Sequence, residues 1–249
     1  MRVYRNIKYG EYEKNILDIY SPEIQNFKTI VYFHGGGLDS GNKSDSNYAE
    51  IAKTFVENGY CFVSVEYRTY PEAKFPDYLS DAAKSIKFIY DNIEKYGGNK
   101  QIIVSGQSAG AWISLMLCLD KKYLASEGLS NGDISGWIID SAQTTAHFNV
   151  IRFELGEDRR KQMINEYAPL NFVDKDTAFS RMLLIYYEND MPCRPEQNLL
   201  FFKAIKTFNE SADIKLVKLS GGHCNGSIRK NTEGKYDYAE ESLKWLKDD

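Results

Sequence analysis

Ile102-Ile103-Val104-Ser105-Gly106-Gln107-Ser108-Ala109-Gly110-Ala111-Trp112-Ile113-Ser114-Leu115-Met116 joins an apolar run, a glycine-bracketed serine and a second, mostly apolar run. Residues 101–105 read as a buried strand. The residues after Ser108 read as a helix, near 109–120. Ser108 therefore stands on a strand-to-helix corner. Glycine suits positions 106 and 110 because such a turn is tight: a side chain at either place would collide with the neighbouring strand or helix, while Ser108 is lifted at the carboxyl end of the sheet. The helix also points its first amides at this corner, which favours negative charge there.

Outward from this corner the chain alternates. Short apolar, β-rich runs lie at 29–34, 60–66, 101–105, 136–140, 181–187 and 214–219, with helices expected near 46–58, 76–96, 109–120, 195–209 and 235–247. In the 76–96 segment Leu79, Ala83, Ile86, Ile89 and Ile93 share one face, and Gly97-Gly98 supplies the stop. Continuous apolar strands separated by amphipathic helices imply an α/β fold, a mostly parallel sheet covered on both faces. Two further runs, 3–9 and 16–20, flank Gly10-Glu11 as an antiparallel edge pair, giving about eight strands. The 249 residues suit a single domain, 1–249. About forty residues separate the runs at 136–140 and 181–187. With one helical stretch expected near 157–167, they form the only segment, around 142–180, large enough for a small cap.

Composition narrows the class. Apolar residues at 43% supply a core, and 31 basic against 35 acidic residues give a net charge of −4. No basic block argues for nucleic acid or an anionic membrane. No apolar stretch follows the first residues, so neither a signal segment nor a spanning helix is expected. Cys61, Cys118, Cys193 and Cys224 lack metal-ligand spacing; reduced thiols in a cytoplasmic protein are the expectation, although Cys193 and Cys224 stand where an oxidised pair would tether two loops of the site.

Gly-x-Ser-x-Gly alone turns up by chance in roughly one chain of this length in ten. His34-Gly35-Gly36-Gly37, directly after the run at 29–34, is far rarer. Three glycines leave amides uncovered, as an oxyanion requires, and Gly36, Gly37 and Ala109 are the candidate donors. A serine nucleophile also needs a base. Of three histidines, His34 belongs to the glycine loop, and His147 reads as a surface or pocket-lining residue of the cap segment. His223, in Gly221-Gly222-His223-Cys224 after the last strand, is the candidate base. The base needs a carboxylate to fix its tautomer. Asp190, after the run at 181–187, is the choice, with Glu188 as runner-up and Asp140 as a weaker rival. The order Ser108, Asp190, His223 is the one expected of this arrangement.

With His34-Gly35-Gly36-Gly37, Glu66-Tyr67-Arg68, Phe75-Pro76, the serine corner, Asp190 and Gly222-His223 in place, the sequence resembles the hormone-sensitive-lipase-like bacterial carboxylesterases, of α/β-hydrolase fold, over roughly residues 17 to 246. The resemblance implies cofactor-free hydrolysis of small-molecule carboxylic esters, of short acyl or acetyl groups, through an acyl-enzyme. It casts Arg68 and Asp81 as scaffold. Leu38 replaces an aromatic residue often found after the glycines, Gln107 stands where His or Asp is common, and Cys224 stands where Gly is usual. The chain starts almost at once with its edge strands, so an open pocket is expected, lined by the 142–180 segment, Leu38 and the neighbours of His223. Three alternatives stay open: an amide-cleaving relative such as an arylformamidase or small peptidase, a carbohydrate-directed acetyl or feruloyl esterase, and a non-catalytic binding protein on the same fold.

Overall fold

Side chains alternate across a strand, and a parallel sheet buried on both faces uses that alternation to feed two cores. The structure, a computed structural model, describes residues 1–248. Its strands are β1 (Arg2–Lys8), β2 (Ile16–Ser21), β3 (Phe27–Phe33), β4 (Cys61–Val65), β5 (Gly98–Gln107), β6 (Ile134–Asp140), β7 (Met182–Asn189) and β8 (Ile214–Gly222). They form one eight-stranded sheet in the order β1-β2-β4-β3-β5-β6-β7-β8. From β4 to β8 neighbours run parallel; β2 is antiparallel to both β1 and β4.

The helices are α1 (Ser46–Glu57), α2 (Asp77–Asn92), α3 (Ala109–Leu119), α4 (Lys122–Ser126), α5 (Phe148–Phe153), α6 (Arg194–Phe208), α7 (Asn225–Ile228) and α8 (Asp237–Lys247). On β3, Val31 and Phe33 join one core with Leu79, Ala83, Ile86 and Ile89 of α2 and with α3. Ile30 and Tyr32 join the other, with Ile51 and Phe55 of α1 and Leu243 and Trp245 of α8. Every residue of α3 is buried. Helix α2 passes into a single 3₁₀ turn, Ile93–Tyr96, and Gly97 stops it at φ 99°.

Two expectations fail, one about the segment between β6 and β7 and one about the glycine loop. Residues 157–167 form no helix. The local sequence carries good helix formers but no continuous apolar stripe, and its side chains are spent elsewhere. Met163 and Tyr167 pack on Ala146, Ile151 and Ala168, while Ile164 stays exposed. Ala146 N–H donates to Met163 O at 2.8 Å, so a tertiary partner takes a carbonyl that a helix would use. The helix of this segment is α5 instead. Second, Leu38 lies wholly in the core, so it lines no pocket.

Candidate active site

The corner after β5 is as tight as its glycines require. A Cβ on Gly110 would stand 2.0 Å from Phe33 O, and one on Gly106 would stand 2.3 Å from the Gly110 carbonyl carbon. This close approach forces Ser108 to φ 53°, a strained value for a residue with a Cβ, and its N–H is held by Asp140 O at 2.8 Å. The side chain is thereby presented at the carboxyl ends of the parallel strands.

The loops after β7 and β8 bring Asp190 and His223 to the same place. His223 Nε2 lies 2.8 Å from Ser108 Oγ, and Nδ1 lies 2.5 Å from Asp190 Oδ1. With a carboxylate at Nδ1 the imidazole proton sits there, so Nε2 is free to accept from the serine. The Asp190 side chain is fully covered, whereas 26% of the His223 side chain is reachable. Burial alone would raise the Asp190 pKa, but the hydrogen bonds from His223, Ser141 and the Met191 amide outweigh it and hold the group below the ordinary carboxylate value.

Ser141 is the residue that sequence reasoning missed. Its hydroxyl donates to Asp190 Oδ2, and its oxygen lies 2.9 Å from His223 Nδ1. It sits one residue past β6 at φ 59°, fixed by its N–H on Ile185 O at 2.9 Å and by Arg194, which donates to Ser141 O at 2.7 Å. Arg194 is buried, reaches Gln143 Oε1 at 3.4 Å, and forms no ion pair among the described residues. Nothing in Asp140-Ser141-Ala142 announces this role, because the partners arrive from residues about 50 and 80 positions away.

The rival acids stand elsewhere. Glu188 is exposed and pairs with Lys218 at 3.3 Å. Asp140 is buried beneath the site, accepting from Tyr187 Oη at 2.9 Å and Ser227 Oγ at 2.6 Å; burial pushes its pKa up to about 6 against those two donors. His147 is buried rather than at a surface or pocket. It caps α5 by accepting from Asn149 N–H, and burial beside Arg194 and Arg159 holds its pKa well below the usual value, so the ring is neutral. Cys193 and Cys224 are both free thiols, the first exposed and the second buried.

The glycine loop is braced from below. His34 stacks on Tyr67 at 4.3 Å, its Nδ1 sits 2.7 Å from Gly35 O and its Nε2 3.4 Å from Glu66 Oε1. Tyr67 Oη donates to His34 O, and Glu66 also accepts the Lys43 amide. Arg68 grips buried Asp81 with two parallel bonds of 2.8 Å. Above, Asn149 donates to Gly37 O at 2.7 Å and to Asp39 Oδ2 at 2.8 Å. Gly36, at φ 107°, takes a conformation that would put a Cβ 2.2 Å from Ser40 O. Among the described residues the amides of Gly36, Gly37 and Ala109 donate to no acceptor of the chain. Gly36 and Gly37 edge a cleft of about 760 Å³ that also contains Ser108 and His223 and that reaches Tyr48, Gln107 and Phe148. The geometry combines a hydroxyl, a base bonded to it, an ionised carboxylate behind the base and unspent amides beside it. That set is what acyl transfer requires.

Relatives are found by sequence and by structure. A probable isoprenylcysteine alpha-carbonyl methylesterase of Oryza sativa subsp. japonica is 34% identical over 243 residues, covering 86% of this chain and 56% of its own length. Esterase LipC of Mycobacterium tuberculosis is 27% identical over 241 residues, covering 88% of this chain and 59% of its own length. The chain thus spans little more than half the length of these relatives. A thermophilic esterase of Thermogutta terrifontis, solved with propionate, superposes with a TM-score of 0.78 at 20% identity, covering 99% of this chain and 93% of that one. The architecture is the α/β-hydrolase fold. Residues 17–151, more than half of the chain, match one family, and the chain belongs to it: BD-FAE.

Proposed function

We propose that this chain is a serine hydrolase of carboxylic esters, with Ser108 as nucleophile, His223 as base, Asp190 as its carboxylate and the amides of Gly36, Gly37 and Ala109 as the oxyanion hole. The observation that carries the reading is the contact of 2.8 Å between Ser108 Oγ and His223 Nε2, backed at 2.5 Å by Asp190. Ser108 attacks the ester carbonyl as His223 takes its proton. The three amides hold the oxyanion, and His223 then protonates the leaving alcohol. A water deprotonated by the same ring releases the acid, and Asp190 stays ionised throughout. Relatives called esterases, and an organophosphate adduct of the Thermogutta enzyme (phosphonylated by cyclosarin), support the same chemistry here. Small-molecule esters of short acyl groups are the substrates in this reading, with the segment around 142–180 as a small cap on a single domain. Four unpaired thiols support a cytoplasmic setting. Among the described residues no helix is long and apolar enough to cross a membrane.

Ser108→Ala reduces p-nitrophenyl acetate turnover to near background while the far-ultraviolet dichroism is retained; unchanged turnover overturns the assignment. A second reading, esters of polyhydroxy alcohols such as acetylated sugars, is favoured by the polar side chains Asp39, Asp45, Asn47, Tyr48 and Gln107 along the cleft. Likeness to a carbohydrate esterase from gut microbiota, 18% identical with a TM-score of 0.77, reaches only to the fold. Acetylated xylose against p-nitrophenyl acetate separates the two.

A further inference from the structure

Residues 157–161 are Glu157-Asp158-Arg159-Arg160-Lys161, two acids and three cations in a row. Arg160 takes Asp158, with Nε 3.0 Å from Oδ1, and Lys161 takes Glu157 at 2.5 Å. Arg159 takes neither, and among the described residues it forms no ion pair or hydrogen bond. Its guanidinium instead lies 4.6 Å above the centre of the Phe148 ring. Phe148 in turn abuts the glycine loop: its Cζ is 3.2 Å from the place of a Cβ on Gly37. An unpaired cation therefore stands one aromatic ring away from the proposed oxyanion hole, on the lining of the cleft that holds Ser108 and His223.

Contact with the ring takes up none of the guanidinium N–H donors and leaves their edge unspent. That edge is a planar fork matched to a carboxylate. The acidic residues of the cleft do not take it. Asp39 is bonded by Asn149 instead, and neither it nor Asp45 pairs with Arg159. We infer that Arg159 on Phe148 is a subsite for a carboxylate carried by the substrate, so that the site favours anionic esters over neutral ones of the same shape. The inference rests on the esterase reading for its meaning. The carboxylate belongs either to the acyl chain or to the leaving alcohol, and two substrate pairs tell these apart.

The first pair is 4-nitrophenyl hemiadipate with 4-nitrophenyl hexanoate; the second is 4-acetoxybenzoate with methyl 4-acetoxybenzoate. The quantity read is the ratio of kcat/KM for the anionic over the neutral member, in the wild-type chain, Arg159→Gln and Arg160→Gln. For one pair this ratio falls about fivefold in Arg159→Gln, an allowance for one charge-assisted bond near a surface. It holds in Arg160→Gln, whose cation is already paired, and shrinks for the wild type when salt is added. Benzoate binding, followed by calorimetry, weakens by a similar factor in Arg159→Gln. Ratios and benzoate binding unaltered by Arg159→Gln overturn the subsite. If the wild-type chain turns over no ester, the esterase reading falls on its own, and the benzoate titration still decides the subsite.

Discussion

Ser141→Ala isolates one hydroxyl. Both residues carry a Cβ, so the strain at φ 59° is common to both, and the backbone bonds to Ile185 and Arg194 are kept. What is lost is one hydrogen bond donated to the Asp190 carboxylate, together with a contact of 2.9 Å to His223 Nδ1. A hydrogen bond to a charged group contributes about 1.5–3 kcal/mol. Asp190 keeps the Met191 amide at 2.6 Å and His223 at 2.5 Å, and a water fits the vacated place, so the low end applies. About 1.4 kcal/mol is one pKa unit, or a tenfold fall in kcat if all of it is felt by the imidazolium that forms in the transition state. The pH dependence has a definite sign. The Asp190 pKa is depressed in the folded chain, so its contribution to stability is present above about pH 4 and is lost as pH falls through the folded value. Without Ser141 the folded pKa rises toward the unfolded value, so the acid-side loss of stability from this group is smaller and is complete at higher pH. The assay is p-nitrophenyl acetate turnover at neutral pH, with thermal unfolding from pH 3 to 7. A variant with wild-type kcat and an unmoved acid limb refutes the reasoning.

Two further perturbations test the carboxylates. Asp190→Asn leaves the imidazole in the wrong tautomer and reduces kcat by roughly 10³–10⁴, whereas Glu188→Gln, which loses only an exposed contact with Lys218, stays within about twofold by the same assay. Comparable losses in both variants would reopen the choice of acid. For Asp140 the sign is opposite to that of Asp190. Its folded pKa is raised to about 6, so the folded chain retains a proton that the unfolded chain releases, and stability declines as pH rises from about 4 to 6. Two units correspond to about 3 kcal/mol. Asp140→Asn removes that decline, and urea unfolding at pH 4.5 and 6.5 checks it; parallel pH dependence in the variant would count against an Asp140 that ionises within the fold.

The strands were legible because a sheet buried on both faces demands largely apolar runs, and those at 29–34, 60–66 and 181–187 carry that pattern. Helix α2 was legible because its stripe of Leu79, Ala83, Ile86 and Ile89 faces one core. Ser108 and the glycine loop could be read locally since tight turns leave their glycines in the sequence. The segment between β6 and β7 obeys no such local rule. Its backbone folds back on itself, Ala146 donating to Met163 O and Leu170 to Thr144 O, and Thr144 N–H donates to the side chain of Gln197, which meets it only in three dimensions. Ser141, Asn149 and Arg194 were invisible for the same reason: each is an ordinary polar residue made specific by a partner brought in by another strand. The choice between Asp190 and Glu188 turned on loop register: Met191 donates its amide to Asp190 Oδ1 at 2.6 Å while Glu188 pairs with Lys218, and neither contact is written in the local composition.

Strand β8 is the last strand of the sheet order, and β7 is its sole ladder among the described residues. Apart from Ile214 at its start, its residues are partly covered or, at Lys215, Lys218 and Ser220, exposed. His223 follows it directly, while Ser108 stands on the central strand β5. The base therefore hangs on an edge strand with one neighbour, and the nucleophile beside a central strand with two. An edge strand opens more readily than a central one, so the expected order in a urea titration is loss of ester turnover ahead of loss of the far-ultraviolet dichroism.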